Sequence, residues 1–348
     1  AMGGTEVRTV PSARFPTIAS AISGVDGGAG LPRVVVRILP GVYHEQLVIS
    51  AAVALVGADD SLPTIQSSGP DGLKIVGPGG TGSVLRKLRL CADTLGRALS
   101  VHEASPLIEG CEIVGAGGEP VRGAPGGLHV SGTQARPVVR GCRISGHAGA
   151  GAVFSGGASG LIAACEISRC ACGVWLEGGG NPLVWRNTLT GHRGAGIVVR
   201  ADGMGFIMGN NVLRNGAGGI LVESTRRAVT VISQNRVWAN MGTDLRQSPA
   251  QAGFSAGELG ALVLTNTVGK QPDDPGGAAP SGELVAAWPK CIVRRASELV
   301  AAVRDAPRNR FVLIEIWGRL ELQEPLVIDR PVVLAGADSS HGGPGQAE

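Results

Sequence analysis

The feature that most constrains this chain is a sentence repeated at a nearly fixed interval. In "EGCEIVG", "RGCRISG", "AACEISR", "WRNTLTG", "MGNNVLR" and "SQNRVWA" the same inward-looking slot is filled by Cys111, Cys142, Cys165, Asn187, Asn210 and Asn235, at intervals of 31, 23, 22, 23 and 25 residues. A period near 23 is the mark of a solenoid, because a unit that short cannot bury its own apolar face and must stack on its neighbours. The one long interval holds "GAGGEPVRGAPGG", which reads as a loop pushed out of a single coil. Fainter units at Leu88 and Asn266 extend the array from Gly72 to Gly269.

Inside a unit, apolar residues alternate over short runs divided by Gly, Asn or Ser, as in "GVWLEGGGNPLVWRNTLTGHRG". Such runs are too short for helices and carry the two-residue period of strands. Three short strands in each coil predict an all-β chain, a right-handed parallel β-helix. The recurring Cys or Asn then lies at a corner between strands, where stacked coils are about 4.8 Å apart. Asn amides at that spacing bond one another along the axis, and Cys fills the same slot as a small apolar residue.

Fifty-six glycines in 348 residues would suit a disordered or collagen-like chain, but there is no G-X-Y period and 43% of the residues are apolar. A turn-dense folded protein results. The net charge of +3 is small and its cations are scattered, and without a basic, aromatic-laced patch a nucleic-acid partner is not expected. No apolar run reaches the about 20 residues needed to cross a bilayer, so no membrane partner is expected. Seven cysteines form no paired framework, which points to a reducing, cytoplasmic setting.

The first sixty residues depart from the repeat. "FPTIASAIS" reads as a short amphipathic helix, and "RVVVRILPGVYHEQLVISAAVALVGADD" follows with dense strands around a G-x-Y-x-E turn holding His44 and Glu45. This resembles the opening of pectin-lyase-like β-helices, a likeness that implies a helix plugging the exposed first edge. The same opening returns from Ala296, with "EPLVID" against "EQLVIS" and "VVLAGADSS" against "VALVGADDS". The expected organisation is a β-helix over 5–268, a Pro/Gly-rich linker over 269–289, and the start of a second β-helix over 290–340, as in a fragment of a longer protein. The unpaired edges of this second opening are expected to dock, by fold-back or by self-association between chains.

The best-defined strand of each coil predicts two outward rows: Ser100, His129, Val153, Trp175, Val198, Leu221 and Asp244, then His102, Ser131, Ser155, Glu177, Arg200, Glu223 and Arg246. Glu177 and Glu223 are the only aligned carboxylates, and Arg200 between them keeps both ionised, which removes the proton of a general acid. The row reads as a charge ladder. His147 and His192 read as polar turn residues, and Cys165, Cys170 and Cys172 do not have a zinc spacing. "GPGGTGS" at Gly77 lacks the Gly-Lys-Ser/Thr of a phosphate loop. No catalytic set, cofactor or metal is expected. Val153, Trp175, Val198 and Leu221 form an outward apolar stripe, and with Glu177, Arg200 and Glu223 they are the candidate partner-binding residues.

The repeats "GLIAACEISRCACGVWLEGGGNPLVWRNTLTGHRGAGIVV" resemble the β-helix of F-box-only ubiquitin-ligase subunits, over Leu99 to Asn240. That resemblance implies a substrate-recruiting platform. A non-catalytic protein-interaction scaffold is therefore expected; a carbohydrate-binding module or polysaccharide-active enzyme is the alternative.

Overall fold

In a computed structural model, the described residues are 5–25, 30–58, 62–92, 96–117, 126–224, 230–247, 261–263, 266–269, 290–305, 312–316 and 332–336. The chain divides into two compact units, Ala1–Ser281 and Gly282–Glu348. The first is a right-handed parallel β-helix. Its described strands form three parallel sheets of eleven, ten and nine strands. One coil shows the plan: Leu183–Trp185 in the first sheet, Thr188–Thr190 in the second, and Ala195–Ala201 in the third.

The core is built from residues that face inward on each strand and repeat from coil to coil. Val139, Ile162, Val184, Ile207 and Ile232 line the first sheet, Ile144, Ile167, Leu189, Val212 and Val237 the second, and Val130, Phe154, Leu176, Val199 and Val222 the third; all are at most 1% exposed. Branched aliphatic side chains suit a pleated surface buried on one face.

Two corners set the coil's shape. Between the first and second sheets one residue has positive φ: Lys87, Gly110, Gly141, Ala164, Arg186, Gly209 and Gln234, with φ between 49° and 64°. Between the second and third sheets the same device recurs at Gly146, Arg169, Gly191, Arg214 and Ala239. A left-handed residue turns the strand within a single residue, and the residue after it points inward. At the first corner that residue is the repeated Cys or Asn, and the expected ladder is present. The Cys165 N–H donates to Asn187 Oδ1 at 2.9 Å, the Asn187 N–H to Asn210 Oδ1 at 2.9 Å, the Asn210 N–H to Asn235 Oδ1 at 2.9 Å, and the Asn235 N–H to Asn266 Oδ1 at 2.9 Å.

At the amino-terminal end the helix Ile18–Ile22 begins at Thr17, whose hydroxyl accepts from the Ser20 N–H in a reciprocal capping box. The Glu45 carboxylate also accepts from the Ile18 and Ala19 N–H groups, at 2.9 and 2.8 Å. Tyr43 donates its hydroxyl proton to the Leu39 carbonyl at 2.8 Å. The G-x-Y-x-E turn thus ties the helix to the first coils, and Ile18 and Ala21 are fully buried.

The second unit has the strands Lys290–Val293, Val312–Ile316 and Val332–Gly336 in one parallel sheet, in that order, with the helix Ala296–Asp305 after the first. The first unit opens with the same succession, Glu6–Val10, the helix Ile18–Ile22, Val34–Ile38 and Val53–Gly57. The strand Lys290–Val293 lies ahead of the point where the sequence copy is first legible. The linker beyond Gly269, and the tip of the long insertion at 118–125, lie outside the described residues.

Asn210→Ala removes the acceptor of the Asn187 N–H and side-chain amide. It is expected to lower unfolding stability in urea by about 2–4 kcal/mol. Ala164→Gly relieves a φ of 49° at an exposed corner and is expected to raise stability by about 1 kcal/mol in the same assay.

Candidate functional site

The third sheet presents the outward surface that the sequence singles out. Register pairs Ser100 with His129, His129 with Val153, Val153 with Trp175, Trp175 with Val198, and Val198 with Leu221. The next member is Arg246, not Asp244, because Leu221 pairs with Arg246. Extrapolating the 23-residue period past Asn210 misplaces this rung by two positions, since the coil there is 25 residues long. Arg246 accordingly leaves the second row, where Arg200 pairs with Glu223.

The stripe is packed rather than bare. Val198 is 7% exposed and clusters with Ala150, Cys172 and Ala195, while Val153, Trp175 and Leu221 lie half-buried against them. The Trp175 indole N–H donates to Glu177 Oε2 at 2.8 Å. The Arg200 guanidinium lies 5.6 Å from the Trp175 ring centroid and pairs with Glu223 at 3.0 Å. The expected Glu–Arg–Glu row is thus linked through the indole: Glu177 is held by Trp175, and Arg200 turns to Glu223. Of the seven candidate residues, Val153, Trp175, Val198, Leu221, Arg200 and Glu223 lie in strands of this sheet, and Glu177 directly follows the strand Cys172–Leu176.

Towards the amino terminus the same surface becomes polar. His102 Nδ1 lies 3.0 Å from Ser131 Oγ, and His129 Nε2 lies 3.3 Å from Ser155 Oγ. Burial depresses the His129 imidazole from 6.5 to about 4, so the ring is neutral at pH 7.

A second ladder, not evident from the sequence pattern, runs along the corner between the second and third sheets. It holds His147, Cys170, His192, Asn215 and Asn240, each five residues after a member of the first ladder. The Asn215 N–H and side-chain amide both donate to Asn240 Oδ1, at 3.0 and 2.9 Å, and the His192 N–H donates to Asn215 Oδ1 at 3.1 Å. The Cys170 N–H donates to His192 Nδ1 at 3.3 Å, which leaves the proton of that ring on Nε2. His147 Nε2 faces the Ile113 carbonyl at 3.2 Å. Space for these side chains comes from glycine: a Cβ at Gly173 would lie 2.8 Å from His192 Nε2, and one at Gly196 3.0 Å from Asn215 Nδ2. His147 and His192 are therefore interior members of a ladder, not surface turn residues. Cys165 and Cys170 belong to separate ladders, and Cys172 to the outward cluster.

A family model described as a right-handed β-helix region matches residues 93–237. Solved structures with the same repeat architecture include a pectin methylesterase variant in complex with a hexasaccharide, 15% identical over 81% of this chain and 92% of that one, with a TM-score of 0.47. They also include the pectin methylesterase PemA of Erwinia chrysanthemi, 16% identical over 81% and 92%, with a TM-score of 0.40. The Dettilon tailspike protein is 14% identical over 76% and 68%, with a TM-score of 0.32. No curated protein sequence matches the chain.

Burial holds His147 and His192 near 4 against an ordinary 6.5. Both rings are neutral in the folded chain, while the unfolded chain takes up their protons below 6.5. Stability is thus complete above pH 6.5 and is lost as pH falls towards 4, by up to about 3 kcal/mol for each ring. His192→Asn, which puts the side chain of Asn215 and Asn240 into the same slot, is expected to keep stability at pH 7. Since His129 is depressed to the same degree, the substitution should remove about a third of the combined acid sensitivity in urea titrations between pH 7 and pH 4. An unchanged pH dependence would show that His192 is not a source of it.

Proposed function

We propose that the chain is a non-catalytic interaction scaffold that presents the third sheet to a partner protein. The observation that carries this reading is the outward apolar cluster of Val153, Trp175, Val198 and Leu221, bordered by Glu177, Arg200 and Glu223. An aromatic ring anchored at its edge and flanked by charged groups is the composition of an interface hot spot. Both aligned carboxylates are already engaged, Glu177 by an indole N–H and Glu223 by a guanidinium. General acid–base hydrolysis needs a pair of carboxyls free to face the substrate, and both of these face neighbouring side chains.

The likeness of the repeats to F-box-only ligase subunits supports a recruiting role. Among the described residues Cys111, Cys142, Cys165, Cys170 and Cys172 form no disulfide, which supports a cytoplasmic setting. We further infer that the helix Ile18–Ile22 closes the first end of the solenoid. The strand–helix–strand–strand succession of the second unit, with one parallel sheet order, supports its reading as the start of a second β-helix.

A carbohydrate ligand is the second reading, and the imidazole and hydroxyl pairs of His102 with Ser131 and His129 with Ser155 favour it. They place donors and acceptors beside Trp175 on one sheet, at a rung spacing of about 4.8 Å.

Trp175→Ala is expected to leave the circular dichroism spectrum unchanged and to weaken the partner recovered from native extract by about 2 kcal/mol in affinity. A chain that instead unfolds would place Trp175 among structural residues. Incubation with pectin, alginate or related uronans is expected to release no reducing or unsaturated ends; release abolished by Glu177→Gln would favour the enzyme reading.

A further inference from the structure

The second sheet changes character halfway along its length. In its amino-terminal coils the outward residues form an ion-pair zipper. Arg89 meets Glu112 at 3.0 Å, and Arg143 lies between Glu112 at 3.8 Å and Glu166 at 3.3 Å. The same row continues as Thr188, Asn211 and Arg236, and there the carboxylates stop.

The arginines do not stop. Four successive coils carry exposed arginines in this sheet or at its corners: Arg193, and with it Arg169, Arg186, Arg214 and Arg236. Among the described residues none of these last four has a carboxylate within ion-pair distance. Asp202 and Glu223 belong to the third-sheet side of their coils, and Glu223 is paired with Arg200. Asp244 accepts from the Asn240 amide at 2.6 Å. Arg186 and Arg214 occupy left-handed corners, with φ of 53° and 55°. Each also lies over an indole, Arg186 at 4.7 Å from the Trp185 centroid and Arg214 at 6.0 Å from that of Trp238.

We infer that this face binds an acidic polypeptide segment, rich in Asp or Glu, lying along the solenoid axis. Charge decides the sign of the ligand: Arg169 and Arg214 stand at the corner after this sheet, two coils or about 9.6 Å apart along the axis, Arg236 stands in its outward row and Arg186 at the corner before it, and guanidinium groups pair with carboxylates in a two-pronged geometry. The rings decide its class. Single-stranded nucleic acid and sugars need ring faces on which to stack, and here both indoles already carry a guanidinium. The Trp238 N–H is also directed at Asn211 Oδ1, at 3.2 Å. What remains is apolar contact from half-buried Leu213, with hydroxyl groups from Thr188 and Thr190, which suits the mixed side chains of a peptide. This face is distinct from the Trp175 surface on the third sheet.

The test is fluorescence anisotropy of a labelled oligoglutamate, with labelled oligouridylate and a heparin fragment as competitors of other classes, titrated with the full chain at low and raised salt. The oligoglutamate is expected to bind with an affinity that falls as salt rises. Combined Arg186→Asn, Arg214→Asn and Arg236→Thr should weaken it about tenfold or more, while Trp175→Ala leaves it unchanged. Asn keeps the left-handed corners. Asn211→Glu, which retains every arginine but sets a carboxylate opposite Arg236, should weaken binding in a chain whose fold is otherwise untouched. Absence of binding, binding indifferent to both variants, or tighter arginine-dependent binding of oligouridylate or heparin would each overturn the inference.

Discussion

Hydrogen bonds between coils run along the axis of the solenoid, so any polar group at a corner must find its partner in the coil above or below. This requirement governs the rest of the molecule. A corner turned by one left-handed residue leaves the next N–H pointing along the axis, and a buried donor without an acceptor costs about 1–3 kcal/mol. The side chains that answer it, Asn187, Asn210 and Asn235 at one corner and His192, Asn215 and Asn240 at the other, lock every coil to the register of its neighbours. Once the register is locked, each outward row is fixed to within a rung.

The first ladder was readable because its members are of two kinds, Cys and Asn, each followed by an alternating apolar strand. The second was hidden by its chemistry: imidazole, thiol and amide all satisfy a backbone donor, so function at that slot is shared by residues that look unrelated in sequence. Its one regular signal, the five-residue offset from the first ladder, emerges only when both corners are considered together. The misplacement of Asp244 and Arg246 has a different origin, in a coil two residues longer than those before it. The partner of Glu177 was not legible because an indole N–H reaching a carboxylate two residues along depends on side-chain direction, not on spacing. Trp185 and Trp238 escaped notice because the arginines stacked on them occupy corners rather than strand positions.

A solenoid of this kind displays its side chains as rows on flat faces, and the same coil adds one element to each face. The third sheet grades from hydroxyl and imidazole groups around His129 to the apolar cluster around Trp175. The second grades from the paired charges of Arg89, Glu112, Arg143 and Glu166 to Arg214 and Arg236, which among the described residues have no carboxylate within ion-pair distance. Both transitions fall in the same part of the array, near the coil of Cys165. The carboxyl-terminal coils of the helix therefore carry the surfaces with unmet bonding capacity, and the amino-terminal coils carry those whose charges are satisfied internally.

The change from thiol to amide at the first corner also gives the molecule a gradient of cohesion. The Cys142 N–H reaches only the Cys165 sulfur, at 3.4 Å, whereas the Asn210 N–H and side-chain amide both reach Asn235 Oδ1, at 2.9 Å each. Sulfur is a weak acceptor, so the coils of Cys111, Cys142 and Cys165 are joined at that corner mainly by packing, and the later ones by doubled, aligned hydrogen bonds. Twist or bending imposed along the axis therefore meets fewer corner bonds in the thiol segment than in the stretch from Asn187 to Asn235, where the ladder adds its bonds to those of the three sheets.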